Sequence, residues 1–124
     1  MYKERDNPIK DKSYAFALSI VKLTKIVRTE HNEYILTNQL LRSATSIGAN
    51  VEEAIGSASD KDFLYRITIA YKEARETQYW LRLLIDSDYL GHNEGSIYLT
   101  NIVELLKIMT AIQKTLKARI EKNK

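Results

Sequence analysis

A chain of 124 residues, 44% hydrophobic and carrying a net charge of +3, is sized for one domain around a single core. The absence of cysteine excludes disulfides and thiolate metal sites, and four glycines with one proline leave little to interrupt long helices. No apolar run follows a basic start and no stretch approaches eighteen uncharged apolar residues, so neither a signal peptide nor a membrane span is expected, and the expected compartment is cytoplasmic.

Residues 1–7 are polar and expected to fray. Asn7-Pro8 reads as an N-cap followed by proline at the first helical position, where the missing N–H costs nothing, and Asp11 suits the positive end of the helix dipole. Phe16, Ile20, Leu23 and Val27 follow at helical spacing, so a first helix is expected over 8–28. Residues 29–36 read as a polar connection. Thr37 is the expected N-cap of a second helix over 38–57, with Leu40, Ala44, Ile47, Val51, Ile55 and Ala58 on one face. Small residues (Ser43, Ala44, Gly48, Ala54, Ala58) gather around that stripe. Gly48 inside a helix costs about 1 kcal/mol against alanine, so it reads either as a site of close helix approach or as a tolerated glycine.

Ser59 and Asp62 resemble a capping box, with Ala58 and Phe63 placed as a staple, and open a third helix over 60–87. Its core stripe is Phe63, Ile67, Ala70, Ala74, Thr77, Leu81 and Leu84. The far face is not polar: Tyr65, Ile69, Glu76, Tyr79, Trp80 and Leu83 lie there. A helix apolar on both sides is enclosed by its own chain or shared with another. That set is the candidate oligomer interface, against the alternative that the second and fourth helices wrap round to cover it. Residues 88–95 hold two glycines and read as a turn, after which Asn93 is placed to cap a fourth helix over 94–121. Its stripe is Tyr98, Ile102, Leu105, Met109, Ile112, Leu116 and Ile120. The expected fold is all-α, an antiparallel up-down-up-down four-helix bundle forming a single domain over 1–124.

Charge is placed unevenly. Residues 1–100 hold 13 Lys/Arg against 14 Asp/Glu, a balance of −1, whereas 101–124 hold six (Lys107, Lys114, Lys117, Arg119, Lys122, Lys124) against Glu104 and Glu121, a balance of +4. Around the last helix Lys107, Lys114 and Lys124 are expected on nearly one line, with Lys117 about 60° away and the core stripe opposite. This is the candidate nucleic-acid-binding set; the alternative is a solubilising face near the negative end of the dipole. Glu52, Glu53, Glu73 and Glu76 raise the possibility of a metal-holding bundle, but no Glu-x-x-His exists, and His31 and His92 fall in expected turns. Ion pairs Lys72–Glu76 and Asp62–Arg66 are expected instead. With no Gly-rich phosphate loop and no serine placed against a histidine, neither an enzyme nor a cofactor, metal or small-molecule substrate is expected. Ser43 and Asn50 border the core of the second helix, with Arg42 and Ser46 pointing outward. Asn50 is read as bridging a partly buried polar contact that fixes helix register.

Three segments, KSYAFALSIVKL (12–23), LTNQLLRSATSIGANVEEA (36–54) and SDKDFLYRITIAYKEARETQYWLRLL (59–84), together resemble bacterial four-helix-bundle proteins of the 23S ribosomal RNA intervening-sequence type. Ala54 stands where many relatives carry glycine, and Lys72-Glu73 where many carry Gly-Ser. The resemblance implies a ring-like homo-oligomer, often a pentamer. It also implies kinship with accessory bundles of diversity-generating retroelements, which bind RNA and a reverse transcriptase. Asn50 and Glu53 match positions that recur in the family. The reading is therefore a non-enzymatic oligomeric bundle binding structured RNA, or an RNA–protein complex, through basic surfaces. The alternative is a protein-interaction scaffold with no nucleic-acid role.

Overall fold

In the computed structural model the stripes read from the sequence become the core of a four-helix bundle. The structure describes residues 7–124, in helices α1 (Pro8–His31), α2 (Ile35–Ile55), α3 (Asp60–Asp86) and α4 (His92–Lys122). The expected fraying of residues 1–7 falls, Asn7 apart, outside the described residues. Phe16, Ile20, Leu23 and Val27 of α1 meet Leu40, Ala44, Ile47 and Val51 of α2, the whole expected stripe of α3, and Ile102, Leu105, Met109, Ile112 and Leu116 of α4, all buried. Each fully buried Leu, Ile or Phe contributes about 1.5–3 kcal/mol of transfer free energy. Opposed contacts fix the directions. Ser13 lies by Gly48 while Arg28 reaches Thr37, and Thr68 meets Gln113 while Asp60 meets Arg119, so these neighbours are antiparallel. The helices follow one another round the bundle, with α3 packed along both α2 and α4, and α1 touching α4 along much less of its length.

The helix ends hold the main departures from expectation. Asn7 caps α1 as expected, its Oδ1 accepting from the Lys10 N–H at 3.3 Å. That helix runs on past 28 to His31, where Asn32 turns left-handed (φ 55°) and its N–H closes on the Arg28 carbonyl. Helix α2 starts at Ile35, and Thr37 is not its cap. The capping group is the Glu33 carboxylate, which accepts from the N–H groups of Ile35, Leu36 and Thr37 at 3.0, 3.0 and 2.9 Å. Thr37 is buried in the first turn, where its hydroxyl donates to the Glu33 carbonyl and accepts from Arg28 Nε at 3.0 Å.

Helix α2 stops at Ile55, so Ala58 is exposed in the link and serves neither the stripe nor a staple with Phe63. Ser59 caps α3, accepting from the Asp62 N–H at 3.1 Å. Helix α4 begins at His92, which places Asn93 inside its first turn and makes Gly95 a buried helical residue whose missing side chain leaves room for Ile85. His31 and His92 thus sit at helix ends rather than in turns. A Cβ at Gly48 would lie 3.6 Å from the Ser13 carbonyl oxygen, an ordinary contact, so that glycine is tolerated rather than required. By length and composition alone α4 is apolar enough to cross a membrane, as a bundle's core helix also can be, although Glu104 and Lys107 interrupt its apolar stretch. In this fold it turns its Ile102–Leu116 stripe into the core.

Candidate nucleic-acid interface

The rotation of α3 against α4 is set by Thr68–Gln113 (3.4 Å) and by Arg119, whose Nε and terminal nitrogen reach the two Asp60 oxygens at 3.1 and 2.8 Å. At 100° per residue that rotation brings Lys72, Arg75 and Arg82 of α3 to the outer face shared with Lys107, Lys114 and Lys117 of α4. All six are exposed. The carboxylates of the same helices are directed elsewhere. Glu73 and Glu76 turn toward α2, where both bind Arg42 (Arg42–Glu73, 3.2 Å), and Glu104 turns toward α1, where it binds Lys12 at 2.8 Å. The acids near the α3/α4 face, Asp86 and Glu121, stand at its ends. Between them the face presents basic groups over half-buried Tyr71, Val103 and Leu106, with an Arg75 guanidinium nitrogen 3.4 Å from the Tyr71 hydroxyl.

Two members of the sequence-derived set leave it. Arg119 is tied to Asp60, and Lys124 lies beyond the last helical residue, 3.1 Å from Glu121 and off the expected line, since even a continued helix turns it about 100° from Lys107. Lys122 is exposed in the last turn of α4, round the helix from Lys114. Lys72, Arg75 and Arg82 were missed because placing them needs the register of α3 against α4, which no spacing within one helix provides.

The second candidate face, on α3, is divided. Tyr65 and Tyr79 are 63% and 52% exposed, whereas Ile69, Glu76, Trp80 and Leu83 are half-buried. Trp80 packs on the core, donates from Nε1 to Glu76 at 2.9 Å and meets the Tyr79 ring edge-on at 5.0 Å. The expected Lys72–Glu76 pair gives way to Arg42–Glu76, because Arg42 reaches across from α2 rather than pointing outward. Instead of pairing with Asp62, Arg66 lies 5.7 Å from the Tyr65 ring centroid. Asn50 does not bridge helices either: its Nδ2 donates within its own turn, to the Ser46 carbonyl at 2.9 Å and hydroxyl at 3.1 Å, and Glu53 is exposed. The buried polar bridge is instead Ser43–Thr77, whose hydroxyls lie 2.8 Å apart.

The model of the family described as 23S rRNA-intervening sequence protein matches residues 5–111, so Lys107 lies within the matched stretch and Lys114 and Lys117 beyond it. A crystal structure of a protein with unknown function from the S23 ribosomal protein family of Bacteroides thetaiotaomicron VPI-5482 is similar, with a TM-score of 0.84 and 42% identity over 86% of this chain and 98% of that one. No curated protein matches.

Proposed function

The chain belongs to the 23S rRNA-intervening sequence protein family, and on that premise we propose that it is a non-enzymatic, self-associating bundle that binds structured RNA through its α3/α4 face. The observation that carries this reading is the segregation of charge. Six exposed cations share one face, while Glu73, Glu76 and Glu104 are held by Arg42 and Lys12 on other sides. Phosphates neutralised by such a face release counterions, so affinity falls steeply with salt. Self-association uses the α2 side of the outer face of α3, around Tyr65 and Ile69 and away from Arg75 and Arg82, and the family resemblance implies a ring of five. Repetition of the basic face around a ring multiplies weak phosphate contacts into a usable affinity.

The test is binding of a labelled RNA hairpin at low and near-physiological salt, with the particle mass read by light scattering in the same samples. The combined Lys107→Glu, Lys114→Glu and Lys117→Glu variant is expected to lose at least about tenfold in affinity with its mass unchanged. Arg75→Ala and Arg82→Ala are each expected to lower the salt slope by about one. An intact oligomer that binds no RNA even at low salt sinks the proposal and leaves the protein-interaction scaffold.

A further inference from the structure

The outer side of α1 carries a pattern that the core does not use. Asp11, Tyr14, Leu18, Val21 and Lys25 recur at alternating spacings of three and four, on the side of the helix away from Phe16, Ile20, Leu23 and Val27. Tyr14 and Leu18 are 68% and 45% exposed, Val21 is half-buried, and Asp11 and Lys25 are exposed with no side-chain partner among the described residues. Ala15 and Ala17 flank the stripe, and small shoulders let another helix approach closely. The stripe's apolar members are not mirror-placed about Leu18, but its two end charges are, and they are opposite in sign. Asp11 lies seven residues before Leu18 and Lys25 seven after; Tyr14 lies four before and Lys22 four after.

We propose that α1 docks onto α1 of a second copy of this chain, antiparallel about a two-fold axis at Leu18. In that register Leu18 meets its own counterpart. Tyr14 lies against Val21 and Lys22 of the other copy, and Asp11 against Lys25, once at each end of a contact about 21 Å long. The self-complementary charges select the second copy as occupant: a parallel pairing sets Asp11 on Asp11 and Lys25 on Lys25. The stripe has an apolar centre and charged ends, the anatomy of an interface rather than of a solvated face. Because α1 is diagonal to α3 in the bundle, this pairing leaves the α3/α4 cations and Tyr79 uncovered. It stands independently of RNA binding and of assembly through α3.

The chain has no cysteine, which permits a direct test. Under mild oxidation Leu18→Cys is expected to convert most chains to a covalent pair on a non-reducing gel. Thr29→Cys is also exposed on α1 but far from the axis, and is expected to stay single. Adding Asp11→Lys to Leu18→Cys sets cation against cation at both ends and is expected to slow cross-linking about threefold or more. Adding Lys25→Asp as well restores it. A folded Leu18→Cys variant that stays single, a Thr29→Cys variant that links as fast, or a charge swap that fails to restore the rate overturns the pairing. All three readouts count chains joined at α1, so they are indifferent to the size of any ring and to the fate of the RNA reading.

Discussion

The seam between α2 and α3 and the seam between α1 and α4 lie on opposite sides of one bundle and are held differently. Across the first, the Ser43 and Thr77 hydroxyls meet in the core, and Arg42 spans Glu73 and Glu76 with Trp80 bonded to the latter. Across the second, Lys12–Glu104 is exposed at both ends, and an open groove runs beside it over Ala15, Phe16, Ser19, Asn101 and Leu105. Both seams descend from the same helical periodicity, so periodicity alone does not set tightness. What differs is whether the residues bordering the stripe can pair across it. Helix α1 is anchored chiefly through α2, at the corner where Arg28 and Glu33 converge on Thr37.

The sharpest way to break that contrast is to make the same cavity on each side. Leu81→Ala sits in the middle of α3, enclosed throughout, and is expected to cost about 4–5 kcal/mol. Leu105→Ala borders the open groove, where neighbours can relax into the space, and is expected to cost about 2–3 kcal/mol. Denaturant unfolding decides it: equal losses mean the α1/α4 seam is as firm as the other. A smaller effect tests the polar bridge. Thr77→Val keeps the volume and leaves the Ser43 hydroxyl only its Leu40 carbonyl at 3.3 Å, an expected loss of about 1–2 kcal/mol. Adding Ser43→Ala should recover part of that loss, since no unpaired group then remains.

What could be read from the sequence follows the same division. The core stripes of all four helices were legible because burial repeats with the helical period, although their outlying members Ile55, Tyr98 and Ile120 are only half-buried and Ala58 is exposed; the Asn7 and Ser59 caps were legible because a cap acts within its own turn. The α2 start was misread because Thr37 is a common cap type, while the true group is a carboxylate preceding the helix. An acid just before the first apolar position was the available signal. The ion pairs were misread because neighbours at i,i+4, such as Lys72 and Glu76, are visible in one dimension, whereas Arg42–Glu73 and Arg119–Asp60 join residues 31 and 59 apart. The basic face was legible by halves. Lys107, Lys114 and Lys117 lie on one helix, but Arg75 and Arg82 join them only once two helices are in register.

The corner that ties α1 to α2 offers a pH-dependent probe. Burial by itself would raise the Glu33 pKa, but the backbone N–H donors of Leu36, Thr37 and Ile35 outweigh it and hold the carboxyl below its ordinary value of 4.5. A folded pKa below the unfolded one stabilises the protein above about pH 4.5, and that contribution is lost as pH falls through the folded value. Glu33→Gln is therefore expected to cost about 1 kcal/mol at neutral pH, the worth of a cap, and to flatten stability against pH below 4.5. Thermal unfolding followed from pH 7 to pH 3 checks this. An unchanged acid limb would mean that the three N–H groups are satisfied as well by water.

The smallest expected effect is on the Lys12–Glu104 ion pair between α1 and α4. Lys12 and Glu104 are 46% and 54% exposed, so solvent screens their attraction, and ordering two long side chains offsets most of the rest. Lys12→Ala should change stability by less than about 0.5 kcal/mol, and what loss there is should be larger at low salt than at high salt. Amide exchange supplies the second half of the test. If α1 is held mainly by α2, amides around Ile20 and Leu23 open at lower free energy than those around Ala74 and Leu81 in α3, and Lys12→Ala leaves that difference where it was. A loss above about 1 kcal/mol, or exchange in α1 as slow as in α3, would mean that the groove side grips α1 as firmly as the knitted side grips α3.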